Sequence, residues 1–172
     1  MTTVVTLIGN PRPGSRTAGA ADTTAAFLAN RLDLTPGDSI DLSGLAADLF
    51  AAEHPRADVA LRSAADAGVL VVATPVHKAS FTGLLKAFLD LYGPRGLAGV
   101  VAVPLVVPGD PGHALVGEAH LRPVLVELGA IVPTRSLVVT AGRLTAIDDQ
   151  LAAWWATEEP ALRRTVTVEA IR

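Results

Sequence analysis

Three short runs rich in β-branched residues, Val4-Val5-Thr6-Leu7-Ile8, Val69-Leu70-Val71-Val72-Ala73 and Val100-Val101-Ala102-Val103-Pro104-Leu105-Val106, each lead directly into a loop of glycine, proline and short polar residues. Runs that are apolar at nearly every position fit strands covered on both faces, which is the habit of parallel sheets. If all three are parallel strands, the loops 9–17, 74–82 and 108–113 leave the same edge of one sheet. Open α/β sheets bind their ligands at that edge.

The intervening segments read as helices. Ser15 or Thr17 caps a helix running to about Leu32, with Ala21, Thr24, Ala25, Leu28 and Leu32 on one face. Pro36-Gly37-Asp38 predicts a turn, residues 39–42 a short second strand, and residues 45–50 a single helical turn. Residues 56–67 form a helix ending at Gly68, whose tolerance of positive φ suits a helix C-terminus. An amphipathic helix over 83–92 stops at Gly93-Pro94, and a helix over 113–128 closes at Gly129. Residues 131–139 are a fifth strand, residues 148–164 a last helix, and residues 166–171 a tail that needs a partner to order it.

Strands alternating with helices and joined by right-handed crossovers most simply give the order 2-1-3-4-5, a flavodoxin-like, doubly wound five-stranded parallel α/β sheet with helices on both faces. Strands 1, 3 and 4 are then neighbours, so the three loops share one crevice. At 172 residues, half of them apolar, the chain is long enough for one well-buried domain, read here as spanning 1–172.

Charge and cysteine content exclude several functions. A net charge of -3 with no basic run argues against nucleic acid as a partner. The absence of cysteine removes disulfides, thiolate metal sites and cysteine nucleophiles. The N-terminus is strand-like without signal-peptide character, and no apolar run approaches the roughly 20 residues that span a bilayer, so the expected location is the cytoplasm, with no membrane contact. His113 and His120 share a helix face but stand about 10 Å apart along it, with no carboxylate cluster nearby, so no metal is predicted. His54 reads as a surface residue, and Trp154 and Trp155 as core or subunit-contact residues.

The first loop, Gly9-Asn10-Pro11-Arg12-Pro13-Gly14-Ser15-Arg16-Thr17, has the makings of an anion cradle. Free N–H groups at the following helix N-terminus and the Ser15 and Thr17 hydroxyls suit one phosphate, and Arg12 or Arg16 adds charge-assisted bonds. It is not a Walker loop, because Ser15 stands where the lysine would be, and it lacks the third glycine of the dinucleotide fingerprint.

The second loop carries a family signature. Thr74-Pro75-Val76-His77, continuing to Gly83-Leu84-Leu85-Lys86-Ala87-Phe88-Leu89-Asp90, resembles the Thr-Pro-x-Tyr…Gly-x-Leu-Lys-x-x-x-Asp pattern of the NAD(P)H-dependent FMN reductases, and the first loop resembles their phosphate loop. With Leu121-Arg122-Pro123-Val124-Leu125 the resemblance spans nearly the whole chain and is nearest to the FMN reductases of alkanesulfonate monooxygenase systems. It implies that Asn10, Arg12, Ser15, Arg16 and Thr17 hold the FMN phosphate. Thr74, Pro75, Val76, His77 and Ser80 are implied to line the ribityl chain and ring. His77 stands where the family has tyrosine, so a smaller, titratable ring faces the flavin.

The spacing of Lys86 and Asp90 reads first as a helix-surface ion pair. In the family this helix helps form a dimer, with Phe81, Leu84, Leu85, Phe88 and Leu91 as apolar contact area here; the alternative is that they face the chain's own sheet. The third loop, Pro108-Gly109-Asp110-Pro111-Gly112-His113, lets backbone approach a flat ligand closely. By resemblance Gly109, Asp110 and Gly112 meet the pyrimidine end of the flavin.

Pro123 cannot donate to the carbonyl of Ala119, so the helix should bend or widen there. Some sulfonate-linked reductases carry an extra tyrosine in a widened turn at the matching place. Ala119-His120 stand there in this chain, which argues for a reductase that retains its flavin.

The resemblance implies hydride transfer from NADPH or NADH to FMN, with reduced flavin or electrons passed to an acceptor such as a flavin-dependent monooxygenase, in a homodimer or homotetramer. No side chain is needed as a catalytic acid or base. A quinone or azo-dye reductase on the same FMN shares these motifs. A flavodoxin-type carrier and a non-catalytic flavoprotein are the remaining readings; carriers are typically strongly acidic with a threonine-rich loop.

Overall fold

The computed structural model describes residues 2–169. Its five strands are β1 (Thr3–Ile8), β2 (Thr35–Asp41), β3 (Val69–Pro75), β4 (Val101–Val107) and β5 (Leu137–Val138), all parallel in the order β2-β1-β3-β4-β5. The helices are α1 (Arg16–Leu32), α2 (Pro55–Ala65), α3 (Gly83–Leu89), α4 (Arg122–Glu127) and α5 (Ile147–Glu169). Neighbouring strand residues face opposite layers. Val69, Val71, Val101, Val103 and Leu105 pack with α1 and α5, whereas Leu70, Val72 and Ala102 pack with α2, α3 and the helical stretch ending in α4. Both faces of β1, β3 and β4 are buried, as continuous apolar strands require, whereas most of the edge strand β2 is exposed. No helix among the described residues is long and apolar enough to cross a membrane.

Several elements differ from the sequence reading. The expected turn at Pro36-Gly37-Asp38 is part of β2: Val4 pairs with Pro36 and Thr6 with Ser39, so one extra residue is accommodated as a bulge. An edge strand tolerates Pro36. A side chain at Gly37 would put its Cβ 2.9 Å from Val5 Cγ2. The helical turn expected over 45–50 lies earlier, as a 3-10 turn at Leu42–Leu45. Gly68 is needed for space rather than for positive φ, since a Cβ there would stand 2.0 Å from Thr2 Cγ2. Gly129 does adopt φ 87 beyond α4.

The fifth strand is shorter than residues 131–139. Ile131 bridges to Val101, the ladder then lapses, and pairing resumes only at Leu137–Val138. Two causes coincide. The Arg122 guanidinium donates to the carbonyls of Val132, at 2.6 Å, and Thr134, drawing that segment away from the sheet. Pro104 in β4 has no N–H to offer it: Ala102 N–H bonds the Ile131 carbonyl and Val139 N–H bonds the Val106 carbonyl, so the proline falls on the same side between them. A proline in an interior strand is tolerated because its neighbour is absent at that level.

The expected tail is helical through Glu169, and Val166 is buried with α1 and the sheet. Residues 170–172, including Ile171, lie outside the described residues. Trp155 is a core residue, meeting the Phe27 ring edge-on at 5.7 Å. Lys86 and Asp90 form an exposed pair, and half-exposed His54 pairs with Asp58 at 2.8 Å.

Candidate functional site

At the C-terminal edge of the sheet a cleft of about 430 Å³ opens between the loops after β1, β3, β4 and β5. The size falls in the range of small-molecule sites, about 300–1,000 Å³. Asn10, Arg12, Ser15, Arg16, Thr17, Pro75, Val76, His77 and Gly109, all singled out in the sequence, line it. Pro13, Gly14, Val107 and Ala141 complete the lining. Ala141 reaches the cleft because its N–H bonds the Pro108 carbonyl at 2.9 Å, tying the loop after β5 to the loop after β4. The sequence offered a signal for it: residues 140–142 follow a strand at the same edge.

The first loop holds itself open. The Asn10 amide donates to Thr17 Oγ1 at 3.0 Å and its carbonyl oxygen accepts from Arg12 N–H at 3.0 Å. Ser15 caps α1 by accepting from Ala18 N–H at 3.2 Å. Gly14 takes φ 60, a conformation costly for other residues. The first turn of α1 provides no carbonyl for the N–H groups of Arg16 and Thr17. Arg12 and Arg16 are exposed, and the ion pairs among the described residues lie elsewhere. Among the described residues no carboxylate lines the cleft. One end of it is therefore positive and rich in donors, and the other, at Pro75, Val76, Val107 and Ala141, is apolar.

Thr74, Ser80, Asp110 and Gly112 do not line the cleft. Each is spent on loop structure. Thr74 Oγ1 accepts from Thr82 N–H and donates to the Pro75 carbonyl. Asp110 accepts from Gly112 N–H at 2.7 Å, which engages the donor expected to face the flavin. Ser80 Oγ lies 2.9 Å from His120 Nδ1. In α3, Leu85 and Phe88 are fully buried against the chain's own sheet and supply no surface, whereas Phe81, Leu84 and Leu91 are partly buried.

The helix after the third loop begins as a 3-10 turn at Pro111–His113, then widens into a π-helical turn, Gly117–Leu121, in which Arg122 N–H bonds the Gly117 carbonyl. The widening sits directly before Pro123, where a missing donor was expected to cause it. It forms without a tyrosine. Burial raises the Glu118 carboxyl, but the Ser136 N–H and the Arg122 guanidinium bonded to it outweigh burial and leave its pKa below the ordinary value.

A flavodoxin-like sheet with a donor-rich cleft at its switch point defines the class of doubly wound α/β proteins that bind ligands at the C-terminal edge of the sheet. A family model described as NADPH-dependent FMN reductase matches residues 2–143. The chain is 36% identical over 129 residues to an FMN reductase (NADPH) of Escherichia coli, covering 74% of this chain and 67% of that protein. It is 36% identical over 133 residues to the NADH-dependent FMN reductase SfnE of Pseudomonas putida, covering 74% and 71%. An NADH:FMN oxidoreductase solved in its apo form superposes with a TM-score of 0.78 at 29% identity, over 99% of this chain and 89% of that one. An oxidoreductase from Corynebacterium diphtheriae superposes with a TM-score of 0.81 at 25% identity, over 100% and 98%. The chain belongs to the NADPH-dependent FMN reductase family.

Proposed function

We propose that this protein is an NAD(P)H-dependent FMN reductase whose flavin lies in the cleft between the four loops. The observation that carries the reading is the polarity of that cleft, with a helix N-terminus and two arginines that pair with no carboxylate among the described residues at one end and apolar side chains at the other. The donor set fits FMN: a phosphate matches Arg12, Arg16, Ser15 and the first N–H groups of α1, and a flat ring matches Pro75, Val76 and Val107. When bound, the flavin supplies the hydride acceptor for a reduced nicotinamide. The chain's own residues bind and orient it and shield one side from water.

The reduced nicotinamide is NADPH or NADH; the two relatives named above differ on this point. The reduced flavin goes to an acceptor such as a flavin-dependent monooxygenase in the cytoplasm. The protein works as a homodimer or homotetramer, a reading favoured by Leu115 and Val126, apolar residues left exposed on the helical stretch after the third loop. Quenching of flavin fluorescence tests the cleft directly. FMN binds more tightly than riboflavin by at least tenfold, because only FMN carries the phosphate; equal affinities contradict the reading.

A further inference from the structure

The widened turn Gly117–Leu121 brings His120 to the loop that carries His77. His120 Nδ1 lies 2.9 Å from Ser80 Oγ, joining residues 40 apart in sequence. Ser80 closes a two-residue turn: His77 N–H bonds the Ser80 carbonyl at 2.9 Å and Ser80 N–H returns to the His77 carbonyl at 3.1 Å. The two central residues, Lys78 and Ala79, both lie in the left-handed region, with φ 52 and 60. Turns of this shape favour Asn-Gly because a Cβ is penalised at positive φ, and neither residue here is glycine or asparagine. The turn is therefore strained and depends on bonds that over-determine it.

We propose that His120 is a positioning residue for the flavin site: its bond to Ser80 braces the 77–80 turn and so fixes His77 at the cleft. The inference rests on the reading of the cleft as an FMN site. His77 lines the cleft from the first position of the turn, so an unbraced turn presents it only part of the time. Apparent affinity falls by the fraction of molecules in the competent form. The π-turn is part of the device, because removing its additional residue would rotate His120 by about 100° relative to α4. Imidazole Nδ1 can accept from a serine hydroxyl or donate to it according to tautomer, so the brace needs a nitrogen or oxygen at that place rather than a particular charge.

The test uses His120→Ala, His120→Asn, Ser80→Ala and the double variant His120→Ala/Ser80→Ala. Their FMN dissociation constants are measured, with amide hydrogen exchange at His77 and Ser80 recorded in flavin-free protein. An asparagine side chain places a polar atom where Nδ1 stands, so His120→Asn keeps wild-type affinity. His120→Ala weakens FMN about 2- to 10-fold, the loss expected for one hydrogen bond. Ser80→Ala weakens it as much, and the double variant no further. Exchange at Ser80 N–H quickens in His120→Ala without FMN present. Unchanged exchange and affinity in His120→Ala, an asparagine variant as weak as alanine, or additive losses would each overturn the brace while leaving the flavin site standing. Failure of the unaltered protein to bind FMN overturns both.

Discussion

The Thr82 hydroxyl donates to the carbonyl of Gly9, a residue 73 positions earlier, and at the same time caps α3 by accepting from Leu85 N–H at 3.1 Å. One buried side chain thus joins the loop after β1 to the loop after β3, the two halves of the cleft, and Gly9 N–H reinforces the join by bonding the Ala73 carbonyl at 2.8 Å.

Replacing that hydroxyl by a methyl group of the same shape leaves a buried carbonyl and a helix N-terminus unsatisfied. Thr82→Val therefore lowers stability by about 2–4 kcal/mol in urea unfolding, whereas Thr82→Ser stays within about 1 kcal/mol of the parent. A valine variant as stable as the parent would show that the two loops are held by something else.

Arg16 stands at the N-terminus of α1 with no ion-pair partner among the described residues. Arg16→Ala weakens FMN binding by about 1.5–3 kcal/mol while riboflavin binding is unaltered, and Arg16→Lys loses less. Calorimetric titration with both flavins reads the difference; an equal loss for each would place the arginine away from the phosphate.

Gly117 is buried where the π-turn crosses β4, and a Cβ there would stand 2.5 Å from Ser136 Cβ and 2.9 Å from Val106 Cγ2. Gly117→Ala should cost about 1–3 kcal/mol by overpacking, although alanine is the better helix former. A gain in thermal midpoint would mean that the turn can shift away from β4 at little cost.

Glu118 links Arg122 and Ser136, and its pKa lies below the ordinary carboxylate value in the folded protein. A depressed pKa means that the folded state favours the charged form, so the contribution is present at neutral pH. It is lost as pH falls through the ordinary carboxylate range and then through the folded pKa. Glu118→Gln flattens that acid limb of the stability curve, measured by denaturant unfolding at a series of pH values. A variant with the parent's acid limb would remove Glu118 from the account.

Continuous apolar strands made β1, β3 and β4 legible, because burial on both faces leaves no other pattern, and their order followed from the alternation with helices. The edges of the sheet were less legible. β5 is cut short by the Arg122 guanidinium, a side-chain contact from the preceding helix that no strand pattern records, and Pro36-Gly37 is as good a turn as it is a bulged edge strand. In the site, the first-loop residues could be placed together because their spacing sets them beside a helix N-terminus. The loop hydrogen bonds of Thr74, Ser80 and Asp110 were not legible, since a polar side chain that builds a loop has the same chemistry as one that meets a ligand. Ala141 has no polar signature; only its place just after the fifth strand marks it, and a backbone hydrogen bond to Pro108 brings it to the cleft.

The most direct test of the central claim is oxidation of reduced nicotinamide by the purified protein, with NADPH and NADH in turn, before and after addition of FMN. The account predicts steady turnover with at least one donor that depends on bound or added FMN. Demonstrable FMN binding with no oxidation of either donor would contradict it and leave a flavin carrier or a non-catalytic flavoprotein.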